Sequence, residues 1–329
     1  MAKNKDSYFS GTSRASIDLA EQIDRLSMSD TTVLIVGEAG SGKNRVAREL
    51  HERSPRAAEP LVEVSLAALS PSLVESELFG HVEGAFTGAQ RDRAGRFQAA
   101  ARGTLVLDGI ETLGELLQVK LLRALQERIV EPVGADEGMK VEARVIATAT
   151  PELERRVREG SYRKDLWYRL AVVVLELPPL RARSSDLPEF AAFLVAQAAA
   201  RLGVDARELS PAAAALIAEH TWPGNVRELE NALERVHALC GSEPGAILAE
   251  EFDFLEDERN AGAQDLARAA LARGLSLEEW NQEMIRAALS EQGGNKSAAA
   301  RRLGITRRAL DYRLGEEQGR LGENQGEGT

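Results

Sequence analysis

A single cysteine, Cys240, in a chain of 329 residues leaves no internal disulfide to close and no cysteine-rich metal site to build. Buried packing in a helix is what such a lone thiol serves. Histidine is scarce too: four residues, with no HExxH run and no paired spacing, argue against a metal site. No apolar run approaches the roughly 18 residues of a membrane span, and the longest are strand-sized. The first ten residues carry lysines but no apolar stretch, so no secretory signal is read there. The chain is expected in the cytoplasm, with no membrane partner. Basic residues are outnumbered, 41 Lys and Arg against 52 Asp and Glu, and the net charge of −11 suggests a protein that avoids nucleic acid. Its C-terminal end departs from that balance.

What is present is a soluble globular composition, 43% hydrophobic and 28% charged, long enough for two or three units. From about residue 8 to 180, short apolar runs alternate with helix-period segments. Strands are expected at Val33 to Val36, Leu61 to Val64, Thr104 to Leu107, Ala143 to Thr148 and Val172 to Leu177. Between them, Leu19, Ile23 and Leu26, then Val46 and Leu50, then Leu113, Leu117, Leu121 and Leu125 fall at helical spacing. This β-α alternation predicts an α/β unit over 8–180, with a parallel sheet covered on both faces and ligands at its C-terminal strand ends. Beyond Pro178-Pro179 only helices are expected, at Leu187 to Ala200, Ser210 to His220 and Val226 to Cys240, as a small lid over 181–252. Residues 253–274 read as a linker, 275–315 as a separate all-helical unit, and the Gly-, Glu- and Gln-rich 316–329 as a disordered tail.

Two motifs carry chemistry in the α/β unit. Gly37-Glu38-Ala39-Gly40-Ser41-Gly42-Lys43-Asn44 follows the first strand and opens a helix. Its glycines let backbone N–H groups curl round phosphates, the helix presents its positive end, and Lys43 reaches the terminal phosphates. A glycine-rich turn without nucleotide is the weaker reading, given the strand and helix that frame it. Asn44 stands where most such loops place a magnesium-binding Ser or Thr, so Mg²⁺ would rest on the next motif and on water. That motif, Gly103 to Ile110, is an apolar strand ending in Asp108, positioned to hold the metal shell. Glu111 follows two residues after Gly109 and substitutes for an acidic neighbour of Asp108 only if the turn curls it inward.

The C-terminal unit reads as a helix over Leu277 to Gln292, a break at Gly293-Gly294, a second helix over Lys296 to Leu303, a turn at Gly304-Ile305, and a third helix capped by Thr306 and running to Leu314. Two short helices about a glycine turn make a helix-turn-helix. Lys296, Arg301, Arg302, Arg307, Arg308 and Arg313 stand there against Asp311, a local charge of plus five. Lys296, Thr306, Arg307, Arg308, Tyr312 and Arg313 are the candidate DNA contacts, against the alternative of a solvated basic face.

The most specific segment is Gly84-Ala85-Phe86-Thr87-Gly88-Ala89. Two glycines bracket an aromatic and a β-branched residue, which makes a flexible tip with an exposed Phe. GAFTGA resembles the loop by which AAA+ activators of sigma-54 RNA polymerase touch the sigma factor, and ELFGHVEGAFTGAQRDRAGRFQAA extends the resemblance. The resemblance covers residues 8–240 and 275–315, where GGNKSAAARRLGITRRALDYRL is similar to the family's Fis-type DNA-binding domain. It implies an AAA+ ATPase fold with a helical lid, and ATP and Mg²⁺ as cofactors. It implies a sigma contact through Gly84 to Ala89, and catalytic or metal duty for Asp108. SYRKDLWYRL resembles the segment that projects arginine fingers into a neighbouring subunit, making Arg163 and Arg169 candidates, and WPGNVREL resembles the sensor II segment, making Arg227 a nucleotide contact. Within the latter, Asn225 is expected as N-cap and Glu228 as its capping-box partner. Homo-oligomeric rings, hexameric by resemblance, Fis-type dimers through Leu277 to Gln292, and upstream activator DNA are the implied assemblies. A family regulatory domain is not found ahead of residue 8, so regulation is expected to come from a separate regulatory protein, from expression level or from partner subunits.

Three positions depart from the family. Gly109 stands where a water-polarising glutamate is placed, Ser65 where an Asn follows the second strand, and Thr150 where sensor I is usually Asn. Two readings follow. One is a sigma-54-dependent transcriptional regulator that remodels the closed promoter complex with ATP. The other is a hydrolysis-deficient nucleotide- and DNA-binding regulator acting in mixed rings or as an antagonist.

Overall fold

A computed structural model describes residues 11–240, 245–255, 271, 273–274 and 276–314. Most of the expected linker and all of the expected tail lie outside them, as do residues 8–10. The chain divides into a unit up to Phe252 and a second from Asp253.

In the first unit, strands β1 (Val33–Val36), β2 (Leu61–Ser65), β3 (Thr104–Asp108), β4 (Arg144–Ala149) and β5 (Val173–Glu176) form one all-parallel sheet in the order β2-β3-β4-β1-β5. The central strands explain their own place: β3 and β4 are apolar at their centres and buried almost throughout, as central parallel strands are when helices cover both faces. Edge strand β5 alternates in burial instead. Pairing sets Ser65 beside Asp108 and Asp108 beside Thr148, while Val36 pairs Ala149. The C-terminal ends of four strands therefore share one edge.

Helices α1 (Arg14–Ser27), α2 (Lys43–Glu52), α3 (Pro71–Phe79), α4 (Glu115–Glu127), α5 (Glu152–Arg158) and α6 (Lys164–Leu170) surround this sheet. One apolar core joins β2, β3 and β4 to α3 and α4, with Phe79 stacked on Phe97 at 5.9 Å. Burying each such side chain contributes roughly 1.5–3 kcal/mol. The lid is α7 (Leu187–Leu202), α8 (Pro211–Glu219) and α9 (Asn225–Cys240). Between α8 and α9, fully buried Trp222 donates its indole N–H to the Ile217 carbonyl at 2.8 Å and fixes the turn. Asp186, just before α7, accepts from Thr12 N, Ser13 N, Ser13 Oγ and Ser16 Oγ and so fastens the start of α1 to the root of the lid.

The second unit contains α10 (Leu277–Glu291), α11 (Lys296–Arg302) and α12 (307–314). Ser276 and Glu279 form a capping box on α10, and Asn295 caps α11. Gly293, Gly294 and Gly304 take positive φ at the two turns, which only glycine adopts without strain. A small core of Ile285, Ala288, Ala299, Ala300 and Leu310 holds the three helices together.

Candidate functional site

The loop between β1 and α2 wraps round a cavity of about 330 Å³ whose wall includes Gly40, Gly42, Lys43, Asn44, Asp108 and Arg227. P-loop, acidic strand end and lid arginine therefore meet. Gly40 and Gly42 take φ of 74° and 99°, and a Cβ on Gly40 would lie 2.2 Å from the Gly224 carbonyl oxygen. Glycine there lets the lid approach, and Arg227 N donates to the Gly40 carbonyl at 3.3 Å. Lys43 Nζ donates to the carbonyls of Gly37 and Glu38, each at 2.8 Å. Burial lowers the lysine's pKa, opposed by the carboxylates of Glu111 and Asp108. Ser41, buried, donates its hydroxyl to the Glu38 carbonyl and so supports the loop from within.

Glu38 does not face the cavity with its carboxylate. Arg181 holds it bidentately at 2.5 and 2.8 Å, and Asn225 Nδ2 donates to it at 3.0 Å. These partners, Arg181 first and Asn225 second, hold its pKa down to about 2, against an ordinary 4.5. Asn225 is also not the N-cap the sequence suggests. Its φ is 55°, its Oδ1 accepts from Leu180 N, and its amide reaches Glu38 and the Ala39 carbonyl. Glu228 caps the turn instead through Gly224 N at 2.6 Å. Asn225 is thus a clasp between lid and P-loop. A depressed carboxylate pKa stabilises the fold above its unfolded value and loses that contribution as pH falls through the folded one. Urea midpoints of the parent and Glu38→Gln should therefore differ near pH 6 and converge as pH drops from about 4.5 towards 2. A gap that stays constant over that range would refute the clasp.

At the strand ends, Asp108 Oδ1 accepts from the Thr148 hydroxyl at 2.6 Å, leaving Oδ2 for other partners. No group of three or more His, Cys, Asp or Glu is gathered for a metal among the described residues. One carboxylate beside a phosphate site is nevertheless what Mg²⁺ uses, the remaining ligands being water and phosphate oxygens. Asp108 fits that duty. Among residues not singled out by the sequence, Arg45, Gln197, Arg201 and Glu230 also line the cavity. Gln197 and Arg201 lie one turn apart on α7, the polar pair in its C-terminal half, and that spacing was their only signal.

The two finger candidates part company. Arg163 is exposed and paired with Asp165 at 2.7 Å. Arg169 turns back into its own subunit and donates to the Leu125 carbonyl at the end of α4, at 2.8 and 3.2 Å. In the conformation described, Arg169 serves a helix end and Arg163 faces outward.

The GAFTGA segment rises from a ribbon pairing Gly80–His81 with Arg93–Ala94. Gly84 N bonds Ala89 O at 2.9 Å and Ala89 N bonds Phe86 O at 3.0 Å, with Gly84 and Gly88 at positive φ. The tip is a closed loop rather than a slack one. Phe86 is 46% exposed and touches His81 edge-on at 5.0 Å; Thr87 is exposed, Ala85 meets Gly134, and Ala89 is buried. This loop and its flanking helices fill the connection from Ser65 to β3, whose last residue is Asp108.

In the second unit, Asp311 binds Lys296 at 3.0 Å and lies 3.8 Å from Arg307, so it neutralises part of the basic face. Thr306 Oγ1 caps α12 by accepting from Ala309 N. Arg308, Tyr312 and Arg313 are exposed on that helix.

Comparison with known proteins decides the family. The Sigma-54 interaction domain matches residues 9–176, an AAA+ ATPase lid domain 181–268, and the Fis family of bacterial regulatory proteins 276–316. The chain belongs to the sigma-54-dependent transcriptional regulators. This regulator is 45% identical over 308 residues to the transcriptional regulatory protein ZraR of Klebsiella oxytoca, covering 92% of this chain and 68% of that one. It is 45% identical over 306 residues to the Nif-specific regulatory protein of Klebsiella pneumoniae, covering 92% and 57%. NtrX from Brucella abortus, solved in complex with ADP, superposes with a TM-score of 0.69 at 32% identity, covering 93% of this chain and 69% of that one. The same protein with ATP gives 0.66 at 33% identity, covering 93% and 68%. The AAA+ fold with a C-terminal helix-turn-helix is thus that of its relatives.

Proposed function

We propose that this regulator binds ATP with Mg²⁺ between P-loop and lid, and uses its hydrolysis to press Phe86 and Thr87 against sigma-54 in the closed promoter complex. The observation that carries the reading is the Ser65–Asp108 pair: the connection that bears GAFTGA leaves β2 at Ser65, directly beside the cavity-lining Asp108. A change in the phosphates at Asp108 acts at the root of the loop. Lys43 and Arg227 hold phosphates, Asp108 carries the metal, and Arg163 acts on a neighbouring subunit's nucleotide. Arg308, Tyr312 and Arg313 face upstream DNA, and exposed Leu277 and Met284, two turns apart on α10, suit a Fis-type dimer.

A second reading rests on Gly109, which offers no side chain next to Asp108: a hydrolysis-deficient regulator acting in mixed rings or as an antagonist. Two measurements separate them. Purified protein should convert sigma-54 holoenzyme closed complexes to open ones only when ATP is hydrolysable, and its ATPase rate per subunit should rise with protein concentration and with upstream DNA. ATP binding accompanied by a flat, near-zero rate selects the second reading.

A further inference from the structure

Gly109 opens a turn that brings a different carboxylate to the same strand ends. Its φ of 78° and ψ of 46° lead into a single 3-10 turn, Ile110–Thr112. Thr112 N and Oγ1 bond the Gly109 carbonyl at 3.0 and 2.8 Å, Gly109 N bonds the Thr148 carbonyl at 3.1 Å, and the Arg156 guanidinium donates to the Glu111 carbonyl. The turn is fixed at both ends. Glu111 Oε1 accepts from Thr150 N at 3.1 Å and Thr150 Oγ1 at 2.8 Å, whereas Oε2 is sealed from solvent and has no hydrogen-bond partner. A buried carboxylate oxygen without a donor is unfavourable, and a catalytic role is one of the few reasons for a fold to keep one. The Tyr162 hydroxyl, also buried and without a partner, lies in the field of this carboxylate. So does the Lys43 ammonium, whose pKa the carboxylates of Glu111 and Asp108 both raise against the effect of burial. Asp108 lines the cavity and shares Oδ1 with Thr148; Glu111 is anchored at the end of the same strand, β4, through Thr150.

We propose that Glu111 is the catalytic base of ATP hydrolysis in this regulator, a role that Gly109 has no side chain to fill. The inference rests on the reading that ATP binds at Lys43. The water oxygen bonds to the γ-phosphorus as the bond from that phosphorus to the β,γ-bridging oxygen breaks, its electron pair leaving on ADP. The water's proton passes to Glu111 Oε2 and then to solvent as inorganic phosphate departs. Thr150 is a positioning residue: its two donors occupy Oε1 and leave Oε2 as the basic oxygen.

The test is steady-state ATPase together with equilibrium binding of a fluorescent ATP analogue on the full chain. Glu111→Gln should lower kcat at least about 100-fold. Its analogue affinity should change less than about threefold, because the loss falls on the transition state. Glu111→Asp should keep an intermediate rate, and Thr150→Val, which retains the amide donor, should lose about tenfold in kcat with binding intact. The double variant Gly109→Glu with Glu111→Gly should turn over faster than Glu111→Gly alone. Glu111→Gln within about threefold of the parent kcat would overturn the assignment. So would a parent that binds the analogue and hydrolyses nothing, which selects the hydrolysis-deficient reading instead. A parent that does not bind the analogue would overturn the nucleotide reading itself.

Discussion

Asp186→Ala is expected to lower the melting temperature of the unit ending at Phe252 by about 10 °C, the largest stability effect of any single side chain discussed. The carboxylate is 5% exposed and accepts Thr12 N and Ser13 N through Oδ1, and Ser13 Oγ and Ser16 Oγ through Oδ2. Alanine would leave two backbone donors at the entry to α1 without this acceptor. It would also remove the charge that opposes the desolvation of Arg183, which is 4% exposed, lies over the Phe190 ring at 5.2 Å and has its pKa pulled to about 10 by burial. Removing a buried, multiply hydrogen-bonded carboxylate, and with it the charge that offsets a buried guanidinium, costs about 3–5 kcal/mol. In a domain of this size each kcal/mol moves the midpoint about 2–4 °C. Asp186→Asn keeps one carbonyl acceptor and the volume but loses the charge, so it should fall between parent and alanine. Calorimetry on the three proteins decides it: a shift under about 2 °C for Asp186→Ala would mean that α1 is held by other contacts.

Asp186 also marks the limit of what the chain discloses before it folds. Every main-sheet strand lies within one residue of its expected place, because β3 and β4 are built on the apolar runs Leu105 to Leu107 and Val145 to Ala147 and the edge strands end at turn residues. Glycines did the same for the P-loop and for the two C-terminal turns, where positive φ is required. Cavity-lining Lys43, Asn44, Asp108 and Arg227 were likewise readable, since each belongs to a motif whose parts are contiguous. Residues whose partner lies far along the chain were not. Asn225 satisfies every local criterion for an N-cap, yet its partners are Glu38 and Ala39, 187 and 186 residues away. Arg169 reads as a projecting arginine until α4 places the Leu125 carbonyl beneath it. Gly109 gives the opposite lesson. On paper it removes a side chain; in the fold its left-handed backbone turns Glu111 onto Thr150, so absence at one position is answered by geometry at another.

Phe86→Ala is expected to weaken binding to sigma-54 by about 30-fold or more while leaving the fold nearly unchanged. The two halves of that statement have separate causes. At 46% exposure, with one edge on His81, the ring contributes little to its own subunit, so truncation should cost under about 1 kcal/mol of stability. An aromatic held out on a closed loop is a different matter for a partner. Bonds between Gly84 and Ala89 and between Phe86 and Ala89 already fix the tip, so little backbone entropy is lost on contact and most of the buried ring area becomes affinity. Truncating such an anchor removes about 2 kcal/mol or more. Thr87→Ser, which keeps the hydroxyl, should bind better than Thr87→Val, which keeps the shape, if the contact uses a hydrogen bond. Anisotropy of labelled sigma-54 titrated with each variant, in a non-hydrolysable ATP analogue, measures the loss, and melting curves of the same samples exclude unfolding. Undiminished binding by Phe86→Ala would move the sigma contact away from this loop, to a surface that does not begin at the Ser65–Asp108 pair.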